Sequence, residues 1–520
     1  MKAINKIFLF AVAGLALTTT GCKKYLDVNK DPNRVTDSTV TAELIFTQAE
    51  NAVGARAASG DWTTFDTWIG YFASNGDFAP QQNLITYNVD FSFSNAIWGN
   101  HYNVLFDLYL AKKKALASGD TLVAGASMVL SAKLWQELVD LYGNIPYTQA
   151  FQTPTNTTPA YDKAQDIYAS LQASLDSAKI YLNNTPGVTA KKAWNTADII
   201  AKGNTDLWKK FANTLKLRLL IRQSQVSGFN PIAEINKITG SGGVLMAGES
   251  ISVNPGYSND VNKQSPFYGN FGWSPTGVKA NTSSNANNYI LAQYEAGNDY
   301  DPRESRFWYY GSFSASSNPL FVGNDFGAAS STLNTGAASS YFGPALVGTI
   351  NSSNAGDGSG AKQDQWIYPS YESMFLWTEA IARGWVAGNS DAATAYHGAM
   401  LEAFTWLGVA KADSVLDDYI ANNNPDIADF ANAGSSADSK AKFIVYQKYL
   451  SLVGIDPYEA YMDQNRLHFL TDDSYLSQAQ GAAASIPTRL LYPQSEYTAN
   501  AANVNAQGSV TLHSKIFWQP

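Results

Sequence analysis

Cysteine is nearly missing from this chain: its 520 residues contain one, Cys22. A single thiol builds no disulfide framework, and in an exported protein a free one is a liability unless some modification consumes it. Charge is scarce as well. Charged residues make up 15% of the chain where about 25% is typical of soluble domains, and acids outnumber bases by 44 to 35 for a net charge of −9. Such a balance argues against a nucleic-acid partner, which calls for a basic stripe. The four histidines, His101, His397, His468 and His513, lie far apart and none sits in an HExxH spacing, so nothing in the pattern favours a metal site or a catalytic triad. Neither a Gly-x-Ser-x-Gly elbow nor a Gly-Lys dipeptide occurs. Beyond the N-terminus no apolar run is long enough to span a bilayer.

What is abundant is Asn, Ser, Thr, Gly and Ala, with aromatics at 13%. The surface is therefore expected to be neutral-polar and aromatic, which suits uncharged, hydroxyl-rich ligands. The N-terminus carries Lys2 and Lys6, an eleven-residue apolar stretch from Ile7 to Leu17, and small residues Thr20 and Gly21 before Cys22. This is a secretory signal. The cysteine directly after small residues fits a bacterial lipoprotein signal, in which the thiol is acylated; Thr19 departs from the branched aliphatic usual at its position. An ordinary secretory signal with an incidental cysteine is the alternative. Residues 1–21 are thus read as a signal peptide, 22–40 as a tether and 41–520 as one domain.

Apolar periodicity predicts a first helix over 41–58 and an aromatic helix over 62–72, where Trp62, Phe65, Ile69 and Phe72 recur at helical spacing. Asn75 to Asn83 then reads as a polar loop, the kind of segment that carries binding more often than folding. Four helix pairs follow, 95–117 with 121–142, 161–183 with 205–224, 371–386 with 391–408, and 439–453 with 457–469. Each resembles a tetratricopeptide unit, although insertions break any strict period. The expected fold is mainly α, a scaffold of about four helix pairs carrying a loop-rich insertion over about 241–370. Aromatic clusters punctuate that insertion, at Phe267-Tyr268, Phe271-Gly272-Trp273, Phe307 to Tyr310 and Tyr341-Phe342. A disordered linker is poor in aromatics, so this segment is expected to fold onto the helices as a cover. Asp301-Pro302-Arg303 reads as a turn with a satisfied arginine, and Trp518 as a terminus packed back on the body.

Six runs, in order, resemble the SusD/RagB family of outer-membrane lipoproteins, in its SusD-like branch. They are CKKYLDVNKDPN from Cys22 to Asn33, DLYGNIPY from Asp140 to Tyr147, WKKFANTLKLR from Trp208 to Arg218, PSYESMFLWTEA from Pro369 to Ala380, KYLSLVGIDPYEA from Lys448 to Ala460, and IPTRLLYPQSEY from Ile486 to Tyr497. The resemblance implies a helical fold with four tetratricopeptide-like units and a lipid-anchored protein facing the cell exterior. It further implies a SusC-like TonB-dependent transporter as partner and capture of oligosaccharides for import, with no catalytic residues, cofactor or metal. A peptide-binding protein like RagB, or less readily a surface glycoside hydrolase, are the alternatives. The six runs fall on the scaffold, so they leave the ligand contacts open. Aromatic faces stack on sugar rings while amides and carboxylates take hydroxyls. On that ground the candidate glycan contacts are Asn75, Asp77, Phe78 and Gln81 from the first loop, with Tyr268, Asn270, Phe271 and Trp273 from the insertion.

The anchor generates its own test. Cys22→Ala is expected to move the protein from the membrane fraction to the soluble fraction on cell fractionation; full membrane retention contradicts acylation at this residue.

Overall fold

Two residues, Gly119 and Asp120, set the first helix pair. Helix α3 (Ser94–Ser118) ends at Gly119, which takes the left-handed conformation at φ 80° and returns its N–H to the carbonyls of Ala115 and Leu116. Asp120 then caps α4 (Thr121–Tyr142), its carboxylate accepting from the amides of Leu122 and Val123. A stop and a start side by side leave no slack, so the two helices pack antiparallel. Helix α4 is buried along nearly its whole surface because it also packs against α1 (Ala42–Arg56), α5 (Ala164–Leu182) and α6 (Thr205–Arg222). That position explains why its sequence is mostly apolar and why its charged residues Lys133, Glu137 and Asp140 are buried in ion pairs.

This computed structural model describes residues 40–520 apart from 57, 186, 297–300, 312–320, 352–354, 389–390 and 424. The signal, Cys22 and the tether up to residue 39 lie outside the described residues. The other three predicted pairs are present: α5 with α6, α7 (Ser370–Ala382) with α8 (Ala392–Trp406), and α9 (Ala437–Leu450) with α10 (Pro457–Leu467). Starts are capped by Asn204, Asp391, Ser436 and Asp456, and Pro457 stands at the first turn of α10. Between α5 and α6 lies a helix that periodicity did not predict, Val188–Ala197, which drives Trp194 against Phe46 of α1 with ring centroids 5.9 Å apart. The predicted aromatic helix over 62–72 is shorter than expected. It spans Thr63–Trp68 (α2) and breaks at Gly70, after which Phe72 enters a strand.

That strand, β1 (Phe72–Ser74), is where the insertion joins the scaffold. It pairs antiparallel with β3 (Ser284–Ala286), while β2 (Ile251–Val253) pairs with β6 (Gln365–Tyr368) and β4 (Trp308–Tyr309) with β5 (Tyr341–Phe342). The insertion is thus folded onto the helices by short ladders, as its aromatic content required. Trp518 is fully buried, beneath the guanidinium of Arg222 at 5.5 Å. Arg303 is buried as well, its fork on Asp301 at 2.6 Å and its other nitrogen on Ser451 at 2.9 Å, so the Asp-Pro-Arg segment is structural.

One buried ion network touches all four pairs. Asp140 on α4 accepts from Arg222 on α6 at 3.1 Å, and Arg222 reaches Glu459 on α10 at 2.5 Å. Lys448 on α9 bridges Glu459 and Asp463, at 3.0 and 2.5 Å. Arg466 then links Asp463 to Glu379 on α7, at 2.7 and 2.6 Å. Burial works to raise the Glu379 pKa, but Arg466 and Arg383 outweigh it and hold the carboxyl at about 2.

A second charged cluster sits between α1, α3 and α4. The buried His101 imidazole places Nδ1 2.6 Å from the Ile97 carbonyl and Nε2 2.5 Å from the Arg56 guanidinium, with Glu137 3.0 Å from Nε2. The Ile97 carbonyl can only accept, which puts a proton on Nδ1; at Nε2 the donor Arg56 is nearer than the acceptor Glu137, and the neutral ring accepts from Arg56 there. Burial, and then the Arg56 charge, lower the His101 pKa to about 4. Between pH 6.5 and 4 the unfolded chain therefore binds a proton that the folded chain refuses. Stability should fall across that window by about 3 kcal/mol from this residue. Denaturant midpoints measured from pH 7 to 4 should drop less steeply in His101→Gln than in the native protein; identical slopes would contradict this account.

Candidate functional site

The face built by the insertion begins with a polar zip. Asn75, directly after β1, is buried and donates from Nδ2 to the Thr282 carbonyl at 2.6 Å and to Oδ1 of Asn285 at 2.8 Å. Asn285 in turn donates to the Ser340 carbonyl at 3.0 Å, and the Ala286 amide reaches the same carbonyl at 3.1 Å. The chain around Ser340 thereby joins β1 and β3 to the ribbon of β4 and β5. Asn75 is expected from the sequence to touch ligand; the structure uses its whole amide to seam this strip together, with Oδ1 accepting from the Asp77 amide at 3.0 Å.

Asp77, Phe78 and Gln81 stand at the exposed end of the strip. Asp77 accepts from the Gly336 amide at 2.8 Å, and the Gly76 amide reaches the Asn334 carbonyl at 2.8 Å, so this loop and the 330–336 loop are tied together. The Phe78 ring is 45% exposed, an apolar face offered to water among Asn, Ser, Thr and Gly. Gln81 is exposed beside it in sequence.

The insertion aromatics are placed differently from expectation. Tyr268, Phe271 and Trp273 are all buried. Phe271 packs on Phe267 at 4.7 Å and on Phe342 at 5.1 Å. Trp273 lies against Gly356, where a Cβ would come within 2.6 Å of its ring, and meets Tyr268 and Tyr341 at 6.2 and 6.1 Å. These three rings pack the cover onto the helices and leave no face for a sugar in this conformation. Asn270 is exposed but donates to the Ala58 carbonyl at 2.6 Å, which ties the insertion to the end of α1. Among the described residues no hydrogen bond or ring contact joins Phe78, Asp77 or Gln81 to Trp273.

Sequence reasoning missed Tyr309 and Tyr341. On the β4–β5 ribbon, Trp308 and Phe342 point inward and are buried, while Tyr309 and Tyr341 are half-buried on the other face with centroids 5.5 Å apart. The Lys279 ammonium lies 3.6 Å from the Tyr341 centroid. The signal was the two-residue alternation of a strand, hidden in runs too short to display a period.

A cavity of about 380 Å³ opens between α1 and α3 at the border of the insertion. Its walls mix amides such as Gln48, Asn51 and Asn100 with apolar residues and with Asp61, His101 and Trp62, and the Arg56 guanidinium lies 5.3 Å from the Trp62 ring. Tyr257 of the insertion donates to Asn51 at 2.8 Å and fixes this rim. Among the described residues no group of three or more His, Cys, Asp or Glu side chains is arranged to hold a metal ion. Glu304 is pushed up to about 8 by burial and then by Glu295 and Asp301, but it is enclosed at 1% exposure. No helix among the described residues is long and apolar enough to cross a membrane.

Comparison with curated proteins finds no match. Solved structures are more informative. A SusD homologue from Bacteroides fragilis matches at 20% identity with a TM-score of 0.71, covering 92% of this chain and 99% of that one. A SusD-like protein from Bacteroides thetaiotaomicron matches at 21% identity with a TM-score of 0.69, covering 92% and 98%. A chitin-binding SusD homologue from Flavobacterium johnsoniae matches at 20% identity with a TM-score of 0.69, covering 91% and 98%. At these identities the likeness establishes the fold. The profile of a family described as SusD-like, starch-binding and associating with the outer membrane matches residues 31–493, and the chain belongs to that SusD-like family.

Proposed function

We propose that this protein is a non-catalytic, cell-surface lipoprotein that captures neutral oligosaccharides and passes them to a SusC-like TonB-dependent transporter in the outer membrane. The observation that carries this reading is the exposed end of the insertion strip. There Phe78 stands 45% exposed in a loop tethered to the 330–336 segment, and both segments are rich in hydroxyl and amide side chains with Asp77 their one charge. An aromatic face would take the CH surface of a pyranose, and Asp77 and Gln81, exposed in the same loop, would take its hydroxyls. Starch in the family's description and chitin for the Flavobacterium protein are both polymers of this class. Anchoring through Cys22 keeps the protein at the membrane, and capture requires only that the ligand favour the state in which protein and transporter enclose it.

Titration calorimetry against a panel of neutral oligosaccharides and of peptides tests the ligand class: saturable binding of an oligosaccharide is expected, and binding of peptides alone would favour a RagB-like role instead. Phe78→Ala should weaken the identified oligosaccharide about tenfold, roughly 1.4 kcal/mol, with little change in melting temperature. Trp273→Ala should do the reverse, costing about 3–5 kcal/mol of stability as a core truncation. Unchanged affinity in Phe78→Ala would remove that ring from the site.

A further inference from the structure

A second concave site lies on the helix pairs, with none of its lining drawn from the insertion. It is a cavity of about 260 Å³ between α3, α4, α5 and the segment that follows α4. Tyr109, Tyr147 and Phe151 form half-exposed aromatic walls, backed by the buried Trp135. Trp135 meets Tyr147 at 5.1 Å and Phe151 at 6.1 Å, and Tyr109 meets Phe151 at 5.5 Å. Phe151 occupies φ +64°, a conformation that bulky residues rarely adopt and that persists only when the surroundings over-determine it.

The second observation is Lys112. It projects from α3 into this lining, half-buried, and among the described residues it has no carboxylate partner and no hydrogen bond. Burial alone lowers its pKa below the usual lysine range, with no neighbouring charge in opposition. Asp162, near the Tyr147 wall, is already committed: it accepts from the amides of Tyr147 and Thr148 at 2.9 and 2.8 Å and from the Thr148 hydroxyl at 2.8 Å. Lys279 is likewise half-buried without an acid, but its ammonium has the Tyr341 ring face at 3.6 Å, whereas among the described residues Lys112 has neither an acid nor a ring face against it. A desolvated charge calls for a counter-charge.

We propose that this pocket binds a single uronic acid residue, with its carboxylate on the Lys112 ammonium and its pyranose ring against the Tyr109, Tyr147 and Phe151 walls. The volume suits one ring. Ser131 and Ser174 line the same pocket; Ser131, whose proton goes to the Ser127 carbonyl at 2.7 Å, offers an acceptor oxygen to the sugar's hydroxyls, and Ser174 offers a hydroxyl. A neutral hexose leaves Lys112 uncompensated, and a purely aromatic acid leaves those serine oxygens unused. The site is separate from the Phe78 loop and does not depend on it.

Sodium glucuronate titrated into the purified protein, followed by calorimetry and by tryptophan fluorescence, reads this site directly. Saturable binding is expected, with glucose and acetate each at least about tenfold weaker, Lys112→Met weakened about tenfold or more, and Lys112→Arg near native. Melting curves of both variants should match the native protein, since Lys112 is half-exposed and makes no internal bond. No saturation by glucuronate overturns the proposal. Equal binding of acetate reduces the pocket to a bare anion site and overturns the sugar assignment; native affinity in Lys112→Met overturns the role of the lysine. Failure here, with oligosaccharides still bound through Phe78, leaves the neutral-glycan reading standing.

Discussion

The buried ion network is the constraint on which the helix pairs depend. Helix pairs joined by long insertions have no repeat period to enforce their register, and apolar packing alone tolerates sliding. Arg222 cannot slide: its guanidinium meets Asp140 from the first pair and Glu459 from the fourth, and both are buried. Arg466 and Glu379 do the same between the fourth and third pairs. Replacing such ions together by apolar groups is often tolerated, whereas removing one partner strands a charge at a cost of about 3–5 kcal/mol. The network therefore acts mainly as a specification of geometry. Its members Asp140, Glu379, Lys448 and Glu459 lie in the runs that resemble the family, so what those runs encode is the way the pairs are joined.

The scaffold was legible in the sequence because its signals are local. Gly119 and Asp120 announce a stop and a start, Pro457 opens a helix, and leucines at 130, 134, 138 and 141 repeat at helical spacing. The 62–72 stretch misled because aromatic spacing continues past Gly70, where long-range pairing with Ser284–Ala286 captures Phe72 for a strand. Val188–Ala197 carries only Trp194 and Ala197 as buried residues, too few to mark a period.

The candidate site was legible only in part, and the reason is physical. A loop aromatic flanked by glycine and proline looks the same whether it faces water or the core. Trp273 faces the core because Gly356, distant in sequence, has no side chain to keep it out. Asn75 likewise looks like a ligand contact until Asn285 and Thr282 arrive to consume its amide. Phe78 differs in that its loop is tied down through Asp77 and the Gly76 backbone, which leaves the ring with no packing duty. Burial of this kind is decided by tertiary partners, and composition carries no trace of it.

The low charge content and the buried ions are two sides of one design. Arg218, Arg222, Arg303, Arg466, Lys448, Asp140, Glu372, Glu379, Glu459 and Asp463 are all inside, so a chain already poor in charge has still less to place on its surface. What remains outside is rich in amide and hydroxyl groups, with charges such as Lys191, Lys192 and Asp206 dispersed among them, over an interior held in register by paired ions. Amide and hydroxyl groups select by contact, through directional hydrogen bonds, and an exposed ring adds stacking. That is the discrimination the proposed capture of neutral sugars requires, since such ligands carry no charge to steer them. Lys112 stands apart from that background by its setting, a half-buried ammonium that among the described residues has neither an acid nor a ring face against it, so its desolvation is offset only by a ligand.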